Sequence, residues 1–170
     1  VTLKTHGSQS SQGEIMMSQI TYYDKVQRLK WKQLEPHPLN PNVMSAEKLT
    51  ALVDEIKVKG FKGAIFTRIH PEGKEIDGLP MYQILDGEHR WKALYRATGE
   101  DPEAEVPVFN LPEVDDKEAA YLVYQFNNLK GELNPIKIAV WLENLRKMDT
   151  PDDVYRRTHL ASRRQERILE

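Results

Sequence analysis

Asp86-Gly87-Glu88-His89-Arg90 places two carboxylates, an imidazole and a guanidinium around one glycine. Carboxylates hold metals or take protons, imidazole exchanges a proton near neutral pH, and a guanidinium fork matches phosphate oxygens. Ile84 and Leu85 before the glycine read as the end of a buried strand. Trp91, Ala93 and Leu94 after it read as the inner face of a helix. Gly87 lets the chain bend where a side chain would clash. The residues after it then fall at a helix N-terminus, whose free N–H groups and dipole attract anions. The chemistry this predicts is phosphate or nucleotide binding. Arg90 is the phosphate clamp, and Glu88 a metal contact or general base. His89 is a phosphate donor or acid–base group, and Asp86 orients Arg90 or takes part in catalysis. The competing reading is structural: strand–Gly–helix turns occur without ligands, and Asp-Gly is a common turn pair.

The elements that must hold this motif follow from the pattern around it. Val26 to Leu34 reads as one strand containing Leu29 and Trp31. Pro36, Pro38 and Pro41 then keep the chain extended. Along this stretch His37, Asn40 and Asn42 are either site residues or parts of a stiff connector, the connector being preferred. Ser45 caps a helix whose apolar face is Leu49, Leu52, Val53 and Ile56, and Gly60 stops it. Ala64 to Ile69 and Met81 to Leu85 form a strand pair across a loop or hairpin. After the motif a helix runs to about Thr98, and Val106 to Phe109 is a short strand. Asp115 and Asp116 lead into a helix carrying Ala119, Leu122, Val123 and Phe126, which breaks near Gly131. Asn134-Pro135 and Thr150-Pro151 each pair a cap with proline at the first helical position. A last helix starts near Ala161. Strands mixed with helices, then helices alone, predict an α+β domain with a helical extension.

Composition narrows the classes of function. The chain has 170 residues, 39% hydrophobic and 29% charged, as a globular protein requires. No apolar run approaches a membrane span, and residues 1–25 read as a polar, flexible leader without a signal-peptide core. The absence of cysteine excludes disulfides, thiolate metal sites and cysteine nucleophiles, and fits a cytoplasmic location. A net charge of −2 excludes a general polyanion binder. The C-terminal end nevertheless carries Arg156, Arg157, Arg163, Arg164 and Arg167 against only Glu166 and Glu170. That basic end is either a DNA contact, through Arg163, Arg164 and Arg167, or a solvated helix face.

Three ordered segments resemble the ParB N-terminal domain of the ParB/sulfiredoxin-like superfamily. Gly87-Glu88-His89-Arg90-Trp91-Lys92-Ala93 is similar to the family's Gly-Glu-Arg-Arg helix start. Leu34 to Asn42 followed by Gly60-Phe61-Lys62-Gly63-Ala64-Ile65-Phe66-Thr67-Arg68 is similar to its proline-rich segment and its Gly-Leu-x-Gln-Pro-Ile-x-Val-Arg motif. Phe126-Asn127-Asn128-Leu129-Lys130-Gly131-Glu132-Leu133-Asn134-Pro135 resembles its Glu-Asn-x-Gln-Arg-x-x-Leu-Asn-Pro motif. The resemblance implies a small mixed sheet with packed helices over residues 26–132, and a helical extension over 133–170 that forms part of a DNA-binding region. It implies CTP or ATP as ligand with Mg²⁺. Gly87, Glu88, His89, Arg90, Arg68, Asn127, Asn128 and Lys130 would form the nucleotide site, with Glu88 and Asn127 on the metal. Trp91 reads as a core anchor.

The departures from the family pattern bear on activity. His89 replaces the first arginine, Gly63-Ala64 replaces Gln-Pro, Lys130 replaces an arginine, and Phe126 stands where the metal-holding glutamate is expected. Losing a carboxylate removes a hard oxygen ligand for Mg²⁺, and lysine lacks the bidentate fork. Sulfiredoxin chemistry is excluded by the absence of cysteine. Asp-Gly-x-His-Arg also resembles ParB-like proteins of phages and mobile elements. The reading is a nucleotide-binding protein with a DNA-linked role such as partition or regulation. The alternative is a metal-dependent DNase, NTPase (a CTPase among them) or small-molecule kinase on the same fold, and a ligand-free contact domain is the third. The partners expected are a nucleotide and DNA, with a homodimer left open and no membrane.

Overall fold

A computed structural model describes residues 25–128 and 133–169. The expected leader, up to residue 24, and the expected helix break at Gly131 lie outside the described residues. Five strands form one sheet, in the order β1 (Val26–Lys30), β7 (Glu105–Asn110), β3 (Ile65–Ile69), β6 (Tyr82–Asp86), β2 (Leu34–Pro36). β1 is antiparallel to β7, β7 parallel to β3, β3 antiparallel to β6, and β6 parallel to β2. β4 (Glu75–Ile76) and β5 (Leu79–Pro80) make a small separate hairpin between β3 and β6.

The single strand expected from Val26 to Leu34 is two strands at opposite edges of the sheet. A 3-10 turn at Trp31–Gln33 carries the chain across. The turn is held by groups whose partners lie far away in sequence. Trp31 stacks on Trp91 with ring centroids 4.3 Å apart, and each indole N–H donates to the other residue's carbonyl. Gln33 is buried, accepts from Lys30 N–H and donates to the Pro80 carbonyl. An apolar alternation carries no mark of such long-range bonds, so the break was invisible to it.

The remaining elements follow the sequence pattern. Helix α1 (Ala46–Lys59) is capped by Ser45, whose hydroxyl accepts from Lys48 N–H, and ends at Gly60. Helix α2 (Glu88–Ala97) starts at Gly87. Helix α3 (Asp116–Asn128) follows β7, with Asp115 accepting from Glu118 N–H. Asn134 and Thr150 cap α4 (Pro135–Leu145) and α5 (Pro151–Thr158), each with proline in the first turn. Helix α6 (Ser162–Leu169) is the last described element.

The sheet is covered on both faces. On one side Ile65, Ile84, Val106 and Val108 pack against Trp91 and Leu94 of α2, with Ile56 of α1 beside them. On the other, Leu85, Leu111 and Phe66 meet Ala119, Val123 and Phe126 of α3. The opposite face of α3, Ala120, Tyr121 and Tyr124, packs against Ile138, Trp141, Leu142 and Leu145 of α4, Val154 of α5 and Leu160. Helix α3 thus serves two cores. Trp141 is fully buried and its indole N–H donates to Ala120 O at 2.8 Å. Truncating such a side chain costs about 3–5 kcal/mol, so the extension is anchored to the α+β layer.

Candidate functional site

The site is built where β6 ends and α2 begins. Gly87 has φ +104°, a left-handed backbone that strains any side chain. The N-cap residue of α2, Gly87, has no side chain with which to cap it. The start of α2 thus presents N–H groups and the positive end of the helix dipole. The Arg90 guanidinium lies over two glycines. A Cβ on Gly63 would stand 2.9 Å from Nη1, and one on Gly87 would stand 3.1 Å from Nη2. Gly63 and Gly87 thus form a bare floor on which the guanidinium rests. Asp86, buried at the end of β6, stands 3.6 Å from Arg90 Nη2 and orients it. Leu52, Ile56 and Phe61 line a small groove on Arg90's other side.

Glu88 is half-buried, with both carboxylate oxygens engaged. Asn40 donates to Oε2 at 2.6 Å, and Lys92 pairs with Oε1 from the next turn of the helix. Burial works against its charge, but the bonds from Lys92 and Asn40 outweigh it and hold the carboxyl below the usual range. His89 is half-buried and its pKa is lowered, by burial first and by Lys92 and Lys137 next, against the opposing pull of Glu88. It is a neutral imidazole at pH 7, suited to donate or accept a hydrogen bond.

Asn127 is buried at the end of α3, donating to Val123 O and accepting from Asn42 at 3.1 Å. Asn40 and Asn42 are joined in turn, since Asn42 N–H donates to Asn40 Oδ1. Glu88 and Asn127, expected together on a metal, are therefore linked through two asparagines of the proline-rich segment. These are connector and site lining at once, and asparagine spacing alone could not show it. Lys92 was also missed; its signal was its place four residues after Glu88. Asn128 is exposed at the end of α3, and Lys130 lies outside the described residues.

Arg68 stands elsewhere. It is five residues past Gly63, roughly 15 Å along an extended chain. It is buried on the α3 side of the sheet, bonded to Gln83, Val114 O and Asp116. The structure does not bring it to Arg90. Phe126 fills the position expected of a metal glutamate and stacks on Phe66, with ring centroids 5.0 Å apart. Trp91 is the core anchor expected of it. A phosphate fits the uncapped helix start with Arg90. A metal cage does not: among the described residues no three His, Asp or Glu side chains converge.

The basic end is exposed at Arg163, Arg164 and Arg167 on α6. Helices α5 and α6 are joined by three residues beginning with His159, which is left-handed at φ 58°. Leu160 is buried in the turn, and Gln165 ties the pair by donating to Pro151 O and Leu160 O. This is a helix-turn-helix connection with its arginines outward. The sequence hid it because left-handed turns favour glycine and the inner positions of a second helix favour apolar residues. Here the two places hold His159 and Gln165.

No helix among the described residues is long and apolar enough to cross a membrane. No curated protein matches the chain. Among solved structures, the chromosome-partitioning protein ParB of Caulobacter crescentus, C-terminally truncated and complexed with CTP-gamma-S, superposes with a TM-score of 0.51 at 23% identity, covering 85% of this chain and 77% of that one. The same protein complexed to the centromeric parS site gives a TM-score of 0.52 at 20% identity, over 84% and 70% of the two chains. A Pnob8-like ParB-N domain gives 0.51 at 13% identity, over 85% and 60%. At these identities the likeness establishes the fold, a mixed sheet with packed helices and a helical C-terminal part. The profile of the ParB N-terminal domain matches residues 16–128, about two thirds of the sequence, and the chain belongs to that family.

Proposed function

We propose that the chain binds a nucleoside triphosphate at the start of α2 and DNA through the α5–α6 pair, in a role related to partition. The observation that carries the nucleotide reading is the Arg90 guanidinium resting on Gly63 and Gly87 beside an uncapped helix N-terminus. Phosphates bind where backbone N–H groups and a guanidinium converge. His89 supplies a neutral side-chain donor or acceptor beside them. Asn127 and Asn128 close the site from the end of α3. The Caulobacter crescentus ParB of the same fold was solved with CTP-gamma-S, which favours CTP over ATP.

Glu88 and Asn127 are the residues that would meet a magnesium ion carried by the nucleotide, since no protein cage is formed among the described residues. Mg²⁺ is commonly held by phosphate oxygens and one or two carboxylates. Glu88 is the carboxylate in place, with Asn127 behind it, and it would have to exchange Lys92 for the metal. The replacement of the family's glutamate by Phe126 weakens the case for hydrolysis relative to binding.

The DNA reading rests on the helix-turn-helix connection with Arg163, Arg164 and Arg167 exposed on its second helix. The same Caulobacter protein was solved on parS DNA. Calorimetric titration with CTP, ATP and ADP, with and without Mg²⁺, tests the first half of the proposal. Binding of CTP that is weakened roughly 10–100-fold in Arg90→Ala is the expected result, and no binding of any nucleotide refutes it. A DNA-degradation assay with Glu88→Ala as control separates a binder from the alternative nuclease.

A further inference from the structure

A second cleft lies on the other side of the proline-rich segment, about 580 Å³ in volume, between β2, the turn after β3, the start of α3 and the end of α4. Its size is that of a small-molecule site. Its floor is polar and deeply buried: Arg68 is 3% exposed and His37 6%. Leu39 N–H donates to His37 Nδ1 at 3.1 Å, so the ring proton sits on Nε2. Nε2 has no acceptor among the described residues. Burial, and the Arg68 charge after it, push the His37 pKa down to about 4, so this donor is neutral at pH 7. The Nε2–H is thus open to the cleft and available to a polar ligand.

The rim carries the complementary information. Asp116 reaches down to Arg68 Nη2 at 2.7 Å, although its own side chain is 69% exposed. It places a carboxylate on a buried guanidinium from the solvent side. Glu35 and Glu72 also line the cleft and flank Lys74. Three acids against two cations disfavour a dianion such as phosphate and suit a monoanion that brings a donor of its own.

We propose that this cleft binds a small carboxylate bearing an amino or hydroxyl group, its carboxylate taking the His37 Nε2–H and replacing Asp116 on Arg68. The donor group of the ligand faces Glu35 and Glu72. Arg68, matched by sequence to the nucleotide site, belongs to this one instead, and the proposal stands or falls apart from nucleotide binding. The site is tested by NMR titration of the full chain with sodium acetate, glycine and inorganic phosphate, reading the side-chain signals of His37, Arg68 and Arg90. Both carboxylates shift His37 and Arg68 but not Arg90, and glycine does so at lower concentration than acetate. Asp116→Asn, an exposed substitution that leaves folding intact by thermal melt, removes the internal competitor and tightens binding by about fivefold, the equivalent of about 1 kcal/mol of lost pairing. Three results overturn the proposal: no shift with either carboxylate, a stronger response to phosphate than to acetate at equal concentration, or an Asp116→Asn affinity no tighter than that of the unmodified chain.

Discussion

Gly63→Ala tests the phosphate clamp without touching the core. Gly63 has φ +80°, so alanine adds about 1–2 kcal/mol of backbone strain there. Its Cβ would stand 2.9 Å from Arg90 Nη1, the free tip of a side chain that is 28% exposed. The guanidinium can retreat, so the cost in stability stays near that strain. The clamp, however, is moved off the helix start. Losing a charge-assisted hydrogen bond to phosphate is worth about 1.5–3 kcal/mol, or roughly 10–100-fold in affinity. Gly87→Ala differs in kind. At φ +104° its Cβ would also stand 3.1 Å from Cγ1 of Ile65, a fully buried branched side chain that cannot move aside. Strain plus overpacking then cost about 2–4 kcal/mol of stability. Urea denaturation separates the two variants, and calorimetric titration with CTP reads the binding loss. In an Arg90→Ala background, Gly63→Ala has no clamp left to displace and lowers affinity no further. A folded Gly63→Ala protein that binds CTP as the unmodified chain does would refute the assignment of Arg90 to phosphate.

Three further outcomes follow from other parts of the structure. His37 has its pKa pushed from 6.5 to about 4 on folding; between those values the unfolded chain takes up a proton that the folded one refuses, so stability falls by up to ~3 kcal/mol as pH drops through that window and is flat above it. Urea melts from pH 4 to 7.5 measure this, and His37→Gln has the shallower slope; equal slopes contradict the assignment. Asn40→Ala leaves Glu88 Oε2 half-buried without its donor, costing about 1–3 kcal/mol in stability, while Asn40→Asp sets two carboxylates together and raises the Glu88 pKa, read by NMR titration of its side-chain carbon. Replacing Arg163 and Arg167 together by alanine reduces the salt slope of DNA binding by about two, roughly one per phosphate contact, measured by fluorescence anisotropy over a salt series; an unchanged slope places the DNA elsewhere.

What the sequence revealed was whatever is encoded locally. Caps at Ser45, Asn134 and Thr150 act within three residues, and each set its helix start where the residue types placed it. Gly87 marked the strand-to-helix bend because only glycine sits easily at φ +104°. The turn at Trp31–Gln33 was hidden because its bonds run to Trp91 and Pro80. Within the site, Arg90 and Glu88 were legible from one motif, but their partners were not. Gly63, Asn40 and Asn42 reach them only after the sheet has closed, and Arg68 is turned to the α3 face of the sheet, bonded to Gln83, Val114 O and Asp116, while Arg90 starts α2 on the opposite face.

The segment His37–Asn42 then has more to do than turn a corner. His37 N–H donates to Ile84 O, fixing the segment to β6 beside the second cleft. Asn40 holds Glu88, and Asn42 holds Asn127. Asn134 N–H donates to Pro41 O at the start of α4, and Asn42 bridges Leu133. Three prolines limit the conformations open to these residues, so a shift at one contact is passed to the next rather than absorbed. Any ligand that changes the partner of Glu88 therefore acts on the same short segment that seats α4, and α4 packs against α6, which carries the exposed arginines. That continuity joins the Glu88 site to the helices that carry the exposed arginines, through a hydrogen-bonded strap.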